Sequence, residues 1–137
     1  AAGLPAEATP RIRDAIWQKL ALNLGSGPLA VLAPVSLAAL YAEEACVQAR
    51  FRIQDEVEAI AAAMGCPVTV SRSIEATRKL PHVPSIGQDV AAGRMAELEA
   101  MFRGPLAMAR EKGVATPTLD LLVALCTLKL RAAGMYP

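Results

Sequence analysis

Few residues in this 137-residue chain have both the type and the setting to do chemistry. The first pair is Lys19 and Asn23, one helical turn apart in the string IRDAIWQKLALN. At about 100° per residue, Ile12, Ile16, Lys19 and Asn23 fall in one narrow arc, while Arg11, Asp14 and Gln18 gather on roughly the opposite side. A lysine on an apolar arc is costly unless something pairs it or it reaches a cleft. Two readings follow. In one, the Lys19 stem lies along apolar surface with its ammonium in water, and Asn23 caps a neighbouring chain. In the other, Lys19 donates a proton at a cleft, its ammonium partly stripped of water.

Three further positions bear on such a cleft. Ser85 follows the proline loop Pro81-His82-Val83-Pro84. It reads as an ordinary N-cap or, by the same position, as a hydroxyl and free N–H groups that suit a carboxylate ligand. Glu97 lies in the charged string Gly93-Arg94-Met95-Ala96-Glu97-Leu98-Glu99, which is either a solvated helix face or a partner for a cation. His82 is the single histidine, with no cysteine cluster beside it, so no metal site is expected. Gly25-Ser26-Gly27 follows a helical pattern rather than a strand and lacks a third glycine, so it is no dinucleotide loop, and no GxGxxG occurs in the chain. Trp17 and Tyr41 are expected in the core or an interface rather than as stacking platforms.

The elements that must position these residues are helical. Thr9-Pro10 is an N-cap hydroxyl followed by proline, opening a helix that runs to about Leu24 and stops at Gly25. A short helix from Pro28 is expected to stop near Pro34, with a restart at Ser36. A long helix should cover roughly Leu37 to Met64, burying Cys46, Ala49, Ile53, Val57, Ile60 and Met64, with Arg50, Arg52, Asp55, Glu56 and Glu58 largely off that stripe. Arg52 and Glu56 can pair one turn apart, and Gly65 closes the helix. An extended link (Cys66 to Val70) and one or two helical turns (Ser73 to Leu80) precede a second long helix from about Ser85 to Lys112. Gly104-Pro105 should kink or break it, and Gly113 ends it. Thr116-Pro117 opens a last helix with a stripe of Leu119, Val123, Cys126 and Leu130. The fold class is therefore all-α, a helical bundle with two long helices.

Composition narrows the function. The chain is 54% hydrophobic with a net charge of +1, and no basic run gives nucleic acid a footprint. The stretch from Pro28 to Ala42 is too short for a bilayer and contains Pro34, so no membrane span is expected. Cys46, Cys66 and Cys126 are odd in number and unpaired by motif, which reads as free thiols in a reducing compartment and a cytoplasmic location.

Taken together, three strings resemble the C-terminal domain of ketopantoate reductases. Trp17-Gln18-Lys19-Leu20 followed by Asn23 is similar to that family's W-x-K-L-x-x-N helix. Ser85-Ile86-Gly87-Gln88-Asp89, then Gly93-Arg94 and Glu97-Leu98-Glu99, is similar to its S-M-x-Q-D … G-R-x-T-E-I-D stretch. Gly113-Val114-Ala115-Thr116-Pro117 is similar to its G-V-x-T-P. They come in family order and cover about Ile12 to Leu130.

The resemblance implies a helical fold like the C-terminal domain of 6-phosphogluconate dehydrogenase. It implies the substrate-binding and proton-donating half of an NADPH-dependent 2-keto acid reductase, as in pantothenate biosynthesis. Lys19 would be the general acid at the keto oxygen, and Asn23 would hydrogen-bond the substrate or hold Lys19. Ser85 would bind the substrate carboxylate. Glu97 would bind a substrate hydroxyl or orient Lys19 and the cofactor ribose, which makes Lys19 and Glu97 the cofactor contacts as well. Lys19 would thus face a pocket shared with Glu97. Gly27 departs from the pattern, standing where the family usually has a second asparagine. Residues 1–9 would be a linker from an N-terminal Rossmann domain that binds most of the NADPH, and residues 10–137 the helical domain. The chain alone is then expected to be inactive. A homodimer is compatible with this reading, and the alternative is a helical dimerisation or interaction module without catalytic activity.

Overall fold

The computed structural model describes residues 11–94 and 97–137, and these are helical with no strand among them. Helix α1 spans Ile12–Leu32, α2 Leu37–Leu40 and α3 Glu44–Ala63. A 3₁₀ turn at Thr77–Lys79 leads to α4 at Ser85–Ala91. A π-helical turn at Glu99–Arg103 runs into α5 at Gly104–Lys112, and α6 spans Pro117–Ala132. The expected start at Thr9-Pro10 lies outside the described residues.

Helix α1 corrects the expected stop at Gly25: it passes through Gly25-Ser26-Gly27-Pro28 without a break. Proline inside a helix costs about 3 kcal/mol through its missing N–H and its ring clash. Tertiary packing offsets that cost, because the residues from Gly27 to Val31 are all buried. The glycines admit neighbours that a side chain would exclude. A Cβ on Gly25 would lie 3.1 Å from Arg50 Cγ, and one on Gly27 3.0 Å from Phe102 Cε1.

The long helix expected over Leu37 to Met64 is interrupted at Tyr41-Ala42-Glu43. Ser36 Oγ accepts the Ala39 N–H (3.1 Å) and starts α2 as anticipated. The interruption turns Leu37, Leu40 and Tyr41 into a small second core with Leu29, Val47 and Ile74. Within α3 the buried stripe is Val47, Arg50, Ile53, Gln54, Val57, Ile60 and Ala61. Ile53, Val57 and Ile60 were expected there; Arg50 was expected outside it and is instead 6% exposed.

The second expected long helix, Ser85 to Lys112, is two helices. Gly93 adopts φ +70°, a left-handed conformation that ends α4 and that glycine enters without strain. The break anticipated at Gly104-Pro105 is met by the π-helical turn, where the Gly104 N–H reaches back five residues to the Glu99 carbonyl. The two longest helices are thus α1 and α3, which pack on each other.

Helix α6 buries its anticipated stripe, Leu119, Val123, Cys126 and Leu130, with Thr127 added. Its N-terminus is closed from α3. Glu56 accepts the Thr118 N–H at 2.8 Å and the Leu119 N–H at 2.9 Å, one on each carboxylate oxygen. Those bonds take the carboxylate that was expected to pair with Arg52. A charged acceptor at a helix N-terminus satisfies orphan N–H groups and complements the dipole. Glu56→Ala is expected to lower stability by about 1–2 kcal/mol, the scale of a lost N-cap. Urea unfolding measures this, and an unchanged midpoint would remove the tie between α3 and α6.

The three thiols are free, as anticipated. Cys126 is buried, its Sγ donating to the Pro28 carbonyl (3.3 Å), and burial pushes its pKa up to about 12.

Candidate functional site

Helix α1 places its residues by which arc the core takes. Trp17, Ala21, Leu24 and Val31 are buried against the rest of the domain. They lie on the far side of the helix from Ile12, Ile16, Lys19 and Asn23, which are exposed. The expected arc is real, but its surroundings are not the oily ones expected: Ile12 is 61% and Ile16 58% exposed, and the Lys19 side chain is exposed beside them. The physical reason is that the Trp17–Ala21–Leu24 arc carries the larger continuous apolar surface, so it wins the core.

Asn23 and Ser85 meet. With Ser26, Gly27, Pro84, Ile86 and Met101 they line a cavity of about 80 Å³ between α1, α4 and the π-helical turn. The close approach of α4 to α1 rests on Gly87, where a Cβ would lie 3.1 Å from the Ala30 carbonyl oxygen and 3.2 Å from Ala30 Cβ. Ser85 is the first helical residue rather than the cap: Pro84 holds the cap position, and no side chain caps α4. The Ser85 hydroxyl is therefore not spent on its own helix. The preceding loop is held by α2, whose Leu37 N–H donates to the His82 carbonyl (3.0 Å) and Ala38 N–H to the Leu80 carbonyl (2.9 Å).

Lys19 and Glu97 are not among the residues lining this cavity. Glu97 is exposed, directly after two residues outside the described set, and its carbonyl accepts the Met101 N–H (3.3 Å). Lys19 stands one turn before Asn23 on the same face of α1. The shared Lys19–Glu97 pocket expected from the resemblance is therefore not a feature of this cavity. His82 is exposed in its loop, and among the described residues no three His, Cys, Asp or Glu side chains gather as metal ligands.

Ser26 went unread in the sequence because its segment looked like a break. Carried at 100° per residue through an unbroken helix, Ser26 falls beside Lys19 and Asn23. Pro84, Ile86 and Met101 supply the apolar part of the lining.

An all-helical domain in which an asparagine and two serines line a small mixed cavity, with a lysine one turn along the same helix face and outside that lining, is the class defined by this fold and site. Residues 11–129 match the family described as ketopantoate reductase PanE/ApbA C terminal, and the chain belongs to that family. It is 33% identical over 138 residues to a 2-dehydropantoate 2-reductase of Mesorhizobium japonicum, covering 98% of this chain and 42% of that protein. Among solved structures it is similar to a 2-dehydropantoate 2-reductase from Methylococcus capsulatus, with a TM-score of 0.78, 29% identity, and coverage of 89% of this chain and 40% of that one. It shares its fold with a PanE/ApbA family ketopantoate reductase from Ralstonia eutropha, with a TM-score of 0.84, 23% identity, and coverage of 96% and 46%. The chain thus spans less than half the length of these relatives. No helix among the described residues is long and apolar enough to cross a membrane.

Proposed function

We propose that this chain is the substrate-binding and proton-donating domain of a cytoplasmic, NADPH-dependent 2-keto acid reductase resembling 2-dehydropantoate 2-reductase. The observation that carries the reading is the convergence of Asn23 and Ser85 on one cavity, with Lys19 one turn away on the same helix face, inside a chain of this family. Lys19 protonates the keto oxygen as hydride reaches the keto carbon, so its positive charge faces the developing alkoxide. Asn23 hydrogen-bonds the substrate, and the unspent Ser85 hydroxyl holds its carboxylate. Glu97 orients Lys19 and the cofactor ribose.

The cofactor is held mainly by an N-terminal Rossmann domain, joined through residues 1–9. The exposed arc of Ile12 and Ile16 supports that partner, because apolar surface beside polar groups marks a face that something covers. Hydride comes from the nicotinamide when it is bound; this chain supplies the proton and the grip on the acid. Because no glycine-rich phosphate loop is present, the 137-residue chain is expected to bind NADPH more weakly than micromolar and to turn nothing over. Fluorescence titration with NADPH checks this, and micromolar binding with turnover would overthrow the division of labour. A panel of 2-keto acids on the complete reductase tests the function itself: NADPH oxidation with at least one of them is expected, and none with any would refute it.

A second reading, a self-associating helical module, rests on α6. Leu121, Leu125 and Leu128 stand at helical spacing and are 60%, 40% and 63% exposed. Sedimentation of the chain separates the two: a second copy on α6 gives a dimer that Leu125→Lys dissociates, whereas the reductase reading requires none.

A further inference from the structure

A second opening lies round the side of α1 from the Asn23–Ser85 cavity. Arg13, Ile16, Trp17 and Leu20 of α1, with Met64 at the end of α3 and Met108 of α5, line a cavity of about 250 Å³. At about 100° per residue, Leu20, Arg13 and Trp17 turn successively farther from the Lys19–Asn23 edge, and Ile16 is the ridge between the two. No residue lines both cavities.

The lining is apolar with one charge. Trp17 is 8% exposed, whereas Ile16 and Met108 stand 58% and 38% exposed beside it. The two methionines are unbranched and polarisable, so they adapt to irregular apolar guests. Arg13 is exposed and makes no hydrogen bond or ion pair among the described residues. Its neighbour Asp14 is engaged elsewhere: it accepts from Cys66 Sγ (3.1 Å) and pairs with Arg11 (3.7 Å). A concave apolar surface with one convergent polar group is the make-up of a small-molecule site. The lone cation makes an anion the complementary guest.

We infer that this cavity binds a monoanionic amphiphile, an unbranched apolar chain ending in a carboxylate. The chain lies between Trp17, Leu20 and the two methionines, and the carboxylate meets Arg13. The volume suits about eight carbons, since a cavity of about 150 Å³ already holds a benzene ring. The inference does not rest on the reductase reading, because none of these residues is assigned to that chemistry.

Octanoate is the probe. Calorimetric titration of the complete protein is expected to show one site. Hexanoate should bind about fifteenfold more weakly, since each methylene taken from water is worth about fourfold in affinity. Arg13→Gln should weaken octanoate about fivefold, the upper scale for an exposed ion pair, and leave octan-1-ol within about twofold. Arg13→Lys should restore the acid. Met108→Glu, at a partly exposed position, sets a like charge against the carboxylate and should weaken octanoate by roughly tenfold or more. Ser85→Ala should change nothing, which separates this cavity from the one proposed for a 2-keto acid. Trp17 is the only tryptophan of the 137 residues, so its emission in the chain alone should shift saturably to the blue with octanoate. Octanoate binding without reduction of any 2-keto acid would sink the functional reading and leave this site standing. Loss of affinity in Ser85→Ala but not in Arg13→Gln would overturn the site, as would octan-1-ol binding as tightly as octanoate. Binding to the 137-residue chain but not to the complete protein would also overturn it and give the cavity to the N-terminal domain. No binding to either form would do the same, and a dimer that Met108→Glu dissociates would then give the cavity to a second copy.

Discussion

Lys19→Ala in the complete reductase is expected to lower kcat about 10²-fold or more, the usual scale for loss of a proton donor. That is about 2.7 kcal/mol of transition-state stabilisation. The argument separates chemistry from folding. Lys19 is exposed and makes no hydrogen bond or ion pair among the described residues, so its removal should leave the unfolding midpoint where it was. Any loss of rate then belongs to the reaction. Lys19→Arg sharpens the test, because a guanidinium keeps the charge but does not give up a proton near neutral pH. If charge alone mattered, arginine would rescue the alanine variant; as a proton donor, it should not. Lys19 stands in water in this chain, so its desolvation has to come from whatever covers the face shared with Ile12 and Ile16. The corollary is that Ile16→Asp, on the same arc but unable to touch the keto group's proton, weakens the docking of that cover and lowers kcat through Lys19. An unchanged kcat in Lys19→Ala removes it from the mechanism.

What the sequence revealed and what it hid follow one division. Local signals were legible. Ser36 capping α2, Gly113 in a left-handed conformation after α5 and the Leu119–Val123–Cys126–Leu130 stripe are all decided within a few residues. Misread positions are those where a distant element outvotes local preference. Gly25 was read as a stop, with a new helix opening at Pro28, because glycines and a proline's missing N–H are local costs to a helix, but the burial of Gly27 to Val31 offsets them. Glu56 was paired with its helical neighbour Arg52, but it caps a helix 62 residues away. The site divides in the same manner. Asn23 and Ser85 could be joined only through family resemblance, since no periodicity links α1 to α4. Ser26 was readable in principle, on the arc of Lys19 and Asn23, once the helix was taken as unbroken. Arg50 carried no signal, because a charged residue one step off an apolar stripe looks solvated until the neighbouring helix is known to be glycine there.

The position where resemblance and packing disagree most is Gly27, and it yields the prediction with the largest effect on stability. Phe102 is fully buried, and the edge of its ring fills the space a side chain on Gly27 would take. Phe102→Ala is therefore expected to cost about 3–5 kcal/mol, the transfer free energy of the ring plus the cavity it leaves. Gly27→Asn alone should also destabilise, by about 1–3 kcal/mol, because its Cβ would sit 3.0 Å from Phe102 Cε1 and the ring is hemmed in by the core. If the two residues compete for one volume, the double variant is better than the sum of its parts, with a coupling of about 0.5–3 kcal/mol. It also places an amide next to Asn23, Ser85 and Met101, where the cavity now offers only the bare glycine backbone. The resemblance implies an asparagine at this position, so the double variant is expected to improve kcat/KM of the complete reductase for hydroxylated 2-keto acids relative to apolar ones. Urea unfolding of the four proteins gives the coupling. Strict additivity would mean that Phe102 and residue 27 do not share that space, and the ring could not then be the reason this chain keeps glycine.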